Sequence, residues 1–182
     1  KRGNSLMIDG LHIAQRPRWH KNTNTIIGLC REHTKGLDLG MNNMDAVLEI
    51  ARAVQDDPQT CHYGREATIA VIGPFQRDNY HPFPVLVSPT CKAEKSDEFS
   101  AIISMIIAQW DEFGKPFNGP LWCVCTDGDT TFRGALHRVL MDRTVAVGDE
   151  LYNKLAPLLG LDLHTGVAYI VIGPDPKHIF KR

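Results

Sequence analysis

The sequence predicts an α/β protein built on a mixed sheet, and three observations carry that reading. Short β-favouring apolar runs, SLMIDGLHI, ATIAVI and LWCVCT, are separated by longer stretches with helical spacing, the alternation expected of an α/β architecture. Two of these runs hold an aspartate or lead straight into one, Asp9 and Asp127. At 182 residues, with 43% hydrophobic and 23% charged residues, the composition is that of one ordinary globular domain over 1–182.

Residues 5–14 read as a strand, apolar on either side of Asp9, and after the polar turn HKNTNT residues 25–30 read as its antiparallel partner. Asn22 and Asn24 suit that turn, because asparagine tolerates left-handed backbone and bonds its own chain. Met44, Val47, Leu48, Ile50, Ala51 and Val54 then recur at helical spacing behind a capping Asn43, which places an inserted helix near 42–56 against the sheet. Residues 31–65 form an insertion between the second and third strands. The third strand is 67–72, stopped by Gly73 and Pro74, and the proline-bounded run 84–87 suits a sheet edge, where a missing N–H breaks no ladder.

Ser96, Asp97 and Glu98 open a mostly apolar helix that runs to Phe113 and stops at Gly114 and Pro116. Residues 121–126 are nearly all apolar, as in a strand buried on both faces. Asp129 or Thr130 caps a helix over 131–141, a further helix spans 148–159 before Gly160, and 167–172 is the last strand. Asp175 with Pro176 opens a final helix.

The most apolar helical stretch, 99–110, is interrupted by Ser104 and Gln109 and falls short of the roughly 18 residues that span a bilayer, so a soluble protein without a membrane partner is expected. The five cysteines are odd in number and scattered, which favours a reducing, intracellular compartment over a disulfide scaffold. A start at Lys1 and an end at IFKR suggest a piece of something longer. Net charge is only −1, which argues against a uniformly basic nucleic-acid binder, yet the charge is uneven. Lys1, Arg2, Arg16, Arg18, Lys21, Arg31 and Lys35 face only Asp9 and Glu32, and Lys177, Lys181 and Arg182 close the chain. An acidic middle between basic ends fits a metal-holding scaffold with phosphate-facing edges.

Two carboxylates at neighbouring strand ends repel unless a cation or proton relieves them, and such a pair favours Mg²⁺ or Mn²⁺. Metals held there can activate an attacking oxygen and stabilise a leaving one at a phosphodiester. Singly, each aspartate also suits local turn chemistry, TDGDT above all.

The element order, three antiparallel strands followed by alternating helices and strands, is that of the RNase H-like fold, in which the first and fourth strands lie side by side at the centre. That layout makes neighbours of Asp9 and Asp127. With LMIDGLHI, IIGL after a polar turn, CTDGDTTFR and GPDPKHIFKR in that order, the chain resembles the catalytic core of P-element-type and THAP-type DNA transposases of the DDE superfamily, and it is similar to transposase-derived reading frames of fungal genomes. The resemblance covers nearly the whole chain. It implies Mg²⁺- or Mn²⁺-dependent DNA phosphodiester cleavage and strand transfer in an intact relative, with Asp9 and Asp127 as the first two catalytic acids and metal ligands. Asp175, Pro176, His178 and Lys181 match the segment that leads into the family's nucleotide-binding insertion. The third acid, a glutamate, lies beyond that insertion, so the core is expected to be truncated at its C-terminal side and incomplete as a catalyst. DNA as partner, the nucleus as location and a homo-oligomeric intact parent follow from the same resemblance. Gly10 departs from it, standing where the family often has glutamate, and no DNA-binding zinc finger precedes the first strand. Those departures favour an alternative, a catalytically inactive domesticated DNA- or protein-binding module.

Arg16, Arg18 and Lys21 interleave with Trp19 and His20 at the first hairpin and suit contact with a DNA backbone, as do Lys177, His178 and Lys181 at a helix start. Cys30 and His33 have the spacing of two zinc ligands on a turn, but Cys61 and His62, the residues available to complete a site, are adjacent and poorly placed for a tetrahedron. Zinc is therefore not expected. Cys30 reads as partly buried and His33 as a surface residue, and a zinc-stabilised interaction domain around them is the third and weakest reading. Cys123 and Cys125 alternate along a strand and read as core.

Overall fold

In a computed structural model the chain is described at residues 2–56, 61–76, 78 and 80–174. In chain order its elements are β1 (Asn4–His12), β2 (Arg18–His20), β3 (Thr25–Ile27), α1 (Met44–Asp56), β4 (Glu66–Pro74), β5 (Phe83–Thr90), α2 (Ser96–Gln109), α3 (Lys115–Asn118), β6 (Leu121–Thr126), α4 (Thr130–Leu140), β7 (Arg143–Thr144), α5 (Tyr152–Leu155), β8 (His164–Thr165) and β9 (Val171–Pro174). The class is the expected one, a mixed α/β protein, with five strands in the order β5-β4-β1-β6-β9. Two compact units divide the chain: Lys1–Ile8, Ala70–Val85 and Lys95–Arg182 form the first, and Asp9–Ile69 with Leu86–Glu94 the second. No helix among the described residues is long and apolar enough to cross a membrane.

In the first unit β1 and β6 run in parallel, with Ser5 opposite Cys123 and Ile8 opposite Thr126. On its other side β6 pairs in parallel with β9, from Cys123 opposite Val171 to Thr126 opposite Pro174. A polar clamp sets where β1 begins. The Asn4 amide is 1% exposed and donates to the carbonyls of Asn118, Gly119 and Pro120 at 3.0, 3.1 and 3.3 Å, while its backbone N–H bonds Pro120 as well. Gly119 can turn the chain there because its φ is +90° and a Cβ would stand 2.0 Å from the Arg2 carbonyl oxygen. Helix α2 packs on α4, burying Phe99, Ile103 and Leu136 almost completely, with the Phe99 and Phe132 rings 4.5 Å apart. Burial of each such side chain stabilises by about 1.5–3 kcal/mol.

Local signals in this unit hold. Helix α2 starts at Ser96 with Glu98 accepting from the Lys95 N–H at 2.8 Å, and Asp129 caps α4 by accepting from the Thr131 N–H at 2.8 Å. Strand β5, carrying Pro84 and Pro89, lies at the sheet edge. Other expectations need correction. The helix begun at Ser96 continues past Phe113 through a π-helical turn, Trp110–Gly114, into α3, because Pro116 falls in the first turn of α3, where a missing N–H costs no bond. The helix expected over 148–159 shrinks to α5, since Pro157 disfavours helical backbone at the residue before it and Leu158 and Leu159 are exposed with no apolar surface to meet. In place of a strand over 167–172, Val167–Tyr169 forms a tight turn with Ala168 and Tyr169 at φ +52° and +55°, and the strand is β9. Trp122 is half exposed, so β6 is not buried on both faces throughout; its ring stacks 5.7 Å from Phe75 and covers Gly3.

The second unit overturns the first hairpin. Strand β3 pairs antiparallel not with β1 but with β2, with Arg18 opposite Ile27 and His20 opposite Thr25, and the neighbours of β1 are β4 and β6. The polar turn HKNTNT closes this small ribbon, whose first strand is too polar to read as one. Asn43 accepts from the Ala46 N–H at 2.8 Å to cap α1, and Leu29, Ile50 and Cys61 form a core joined by Leu37, Met41 and Val54.

Candidate functional site

Asp9 and Asp127 are placed by the β1/β6 register. The last pair is Ile8 and Thr126, and each is followed in the chain by its aspartate. Asp9 is exposed and accepts from the Gly10 N–H at 2.8 Å. Asp127 is half-buried and accepts from the Asp129 N–H at 3.0 Å, across Gly128, whose φ of +85° makes the turn. Asp9 therefore bonds the next residue of its own strand and Asp127 its own turn, and each carboxylate has further lone pairs. Asp9 belongs to the second unit and Asp127 to the first.

Gly10 has a local reason. A Cβ on it would stand 2.8 Å from a carboxylate oxygen of Glu66, which is itself paired with Lys92 at 2.6 Å. The space a side chain at position 10 would fill is occupied by another acid.

Arg16, Arg18 and Lys21 are exposed, as a contact with a polyanion requires. Trp19, between them, is braced by its indole N–H donating to Asn24 at 3.1 Å, and His20 meets Thr23 at 2.8 Å. Their neighbours show that the aromatic and the histidine shape the hairpin. Lys177, His178 and Lys181, with Asp175 and Pro176, lie outside the described residues.

The second unit also gathers a set of metal-capable side chains that only partly follows the sequence reading. Cys30 is fully buried and His33 half-buried, where a partly buried cysteine and a surface histidine were expected. The third member is Cys91, not Cys61, and the ligand atoms of Cys30, His33 and Cys91 lie within 4.8 Å of one another. The Cys30 and Cys91 sulfurs are 3.3 and 3.5 Å from His33 Nδ1, and the Cys91 N–H points at the Cys30 sulfur from 3.3 Å. Burial pushes the Cys91 thiol up, and the neighbouring Cys30 thiol adds to that. Among the described residues this is the only group of three such ligands.

An ion pair holds it. Arg31, next to Cys30, donates to Ser88 O at 3.1 Å and to Glu94 at 2.7 Å, with side-chain exposures of 14% and 7% for Arg31 and Glu94. Thr34 closes the turn by donating to Cys30 O at 2.8 Å, and Thr90 donates to Glu94 at 2.8 Å. The His62 ring stacks 3.8 Å from that of His33, and a cleft of about 540 Å³ is lined by Cys91, His62, Cys61 and Lys92. Sequence spacing shows Cys30 and His33 but not Cys91, which directly follows β5 and whose segment meets that of Cys30 through the Arg31 N–H bond to Pro89 O at 3.0 Å and the Arg31–Glu94 pair. By contrast Cys123 and Cys125, with sulfurs 3.7 Å apart, belong to no such group among the described residues.

The fold thus defines a mixed α/β protein, with one group of metal-capable side chains, Cys30, His33 and Cys91, among the described residues of its second unit. No protein family, curated protein or solved structure matches the chain.

Proposed function

We propose that this chain is the RNase H-like core of a P-element-like DDE transposase, with Asp9 and Asp127 holding Mg²⁺ or Mn²⁺ for cleavage and strand transfer of DNA. The observation that carries the proposal is the parallel β1/β6 register, whose final pair, Ile8 and Thr126, is followed by aspartate in both strands. The sheet order β5-β4-β1-β6-β9 supports it too. Numbered by sequence within the sheet, those strands fall in the order three, two, one, four, five, with the first and fourth side by side. That is the arrangement an RNase H-like core needs, with β2, β3 and α1 inserted after β1.

A bound divalent cation supplies charge stabilisation at the phosphodiester and a lowered pKa for an attacking oxygen. The two carboxylates hold it, the exposed Arg16, Arg18 and Lys21 grip the backbone, and Lys177, His178 and Lys181 extend that grip. The alternative, a binding module without catalysis, is favoured by the Glu66 carboxylate occupying the space a side chain at Gly10 would fill.

Mn²⁺ titration of the chain tests the proposal. Binding should be saturable and should weaken at least tenfold in both Asp9→Ala and Asp127→Ala; equal binding in wild type and both variants refutes the metal pair. DNA binding that persists without any dependence on Mn²⁺ selects the inactive module.

A further inference from the structure

We infer that Cys30, His33 and Cys91 form a zinc site in the second unit, separate from the two aspartates and independent of the function proposed for them. The sequence reading set zinc aside because Cys61 and His62 are poor partners for Cys30 and His33. Cys91 removes that objection.

The distances decide the case. Zinc binds sulfur at about 2.3 Å and imidazole nitrogen at about 2.0–2.1 Å in a tetrahedron, which puts a sulfur and a nitrogen ligand about 3.5 Å apart and two sulfurs about 3.8 Å apart. Both sulfur–nitrogen separations here, 3.3 and 3.5 Å, already have that value, and the two sulfurs, within 4.8 Å, need close by at most about one ångström. Three ligand atoms from two distant segments lie within 4.8 Å of one another.

Chemistry selects the ion. Two thiolates and an imidazole are soft or borderline donors, which suit zinc and not magnesium or calcium. A buried thiolate needs a cation and hydrogen-bond donors, and the Cys91 N–H is aimed at the fully buried Cys30 sulfur. Cys91 also lines the cleft, so the fourth position falls to water, as in zinc sites with three protein ligands. The Arg31–Glu94 pair beside the cluster fixes the two segments and serves as its outer support.

The experiment is metal analysis of the chain purified in reducing buffer without chelator. About one zinc per chain is expected, falling to background in Cys30→Ser, His33→Ala and Cys91→Ser and staying intact in Cys123→Ser. Because Cys30→Ser alters a buried position, the half-buried Cys91→Ser and a Co²⁺ titration of metal-stripped wild type provide independent readings. Thiolate-to-cobalt charge-transfer absorption on the wild type supports the site. Wild type without zinc, zinc retained in Cys91→Ser, no charge-transfer band, or a Cys30–Cys91 disulfide that persists in reductant overturns it. Mn²⁺ binding at Asp9 and Asp127 is read separately, so either proposal can fail alone.

Discussion

The Asp9 and Asp127 carboxylates and the Cys30–His33–Cys91 cluster make opposite use of the chain. Asp9 lies in β1 and Asp127 directly after β6, each bonded to backbone one or two residues on and open to solvent or half so. In the cluster, two sulfurs and a nitrogen from irregular segments meet within 4.8 Å, one sulfur fully buried and the other two groups half-buried. The aspartates are positioned by regular strands, and the cluster by a turn, an ion pair and backbone bonds between segments, Arg31 N–H to Pro89 O and Cys30 N–H to His62 O. Regular strands place residues from local sequence, whereas the cluster depends on contacts across some sixty positions, such as Arg31 with Glu94.

Breaking that ion pair should have the largest effect. Glu94→Ala leaves the nearly buried Arg31 with only Glu32, 3.7 Å away, as an acidic partner, and about 3 kcal/mol of stability should be lost. Urea denaturation checks the loss; zinc should fall with it, and Mn²⁺ binding should remain. A variant as stable as wild type would show that the pair does not hold the cluster.

Asn4→Ala attacks the other region. Removing an amide that serves the Asn118, Gly119 and Pro120 carbonyls should cost about 1–3 kcal/mol and weaken Mn²⁺ binding by loosening the β1/β6 register, with zinc retained. Loss of zinc in Asn4→Ala and retention in Glu94→Ala would reverse the comparison. Asp129→Ala, which removes only the α4 cap, should cost about 1 kcal/mol and leave both metals bound.

The smallest effect is a pH dependence at a thiol pair outside both regions. The hydrogen bond with Cys125 and burial raise the Cys123 thiol in the folded chain. A raised pKa leaves stability unaffected below the unfolded thiol value of about 8.5 and lowers it as pH climbs above, where only the unfolded chain ionises freely. The urea midpoint should fall at alkaline pH in wild type, and less steeply in Cys123→Ala. An identical slope in both would remove Cys123 as the cause.

These same differences explain what the sequence could tell. Ser96 and Glu98 announced α2, Asp129 announced α4 and Asn43 announced α1, because caps act within one turn. The neighbourhood of β1 and β6 followed from the expected layout, but the exclusion of β3 from β1 did not, since β3 is short and apolar and its real partner, β2, is too polar to read as a strand. Pro116 and Pro157 look alike in sequence, yet one opens α3 and the other bars α5 from extending. Cys91 follows an unremarkable PT pair, and nothing local marks it as a ligand.

The carboxylate beside Gly10 has a consequence for substitutions there. A glutamate placed at position 10 would meet an oxygen of Glu66, 2.8 Å from where its first carbon must go, so the Glu66 carboxylate would have to swing aside and two like charges would share the space beside Lys92. An acid at position 10 is therefore accommodated more easily where position 66 carries a neutral residue.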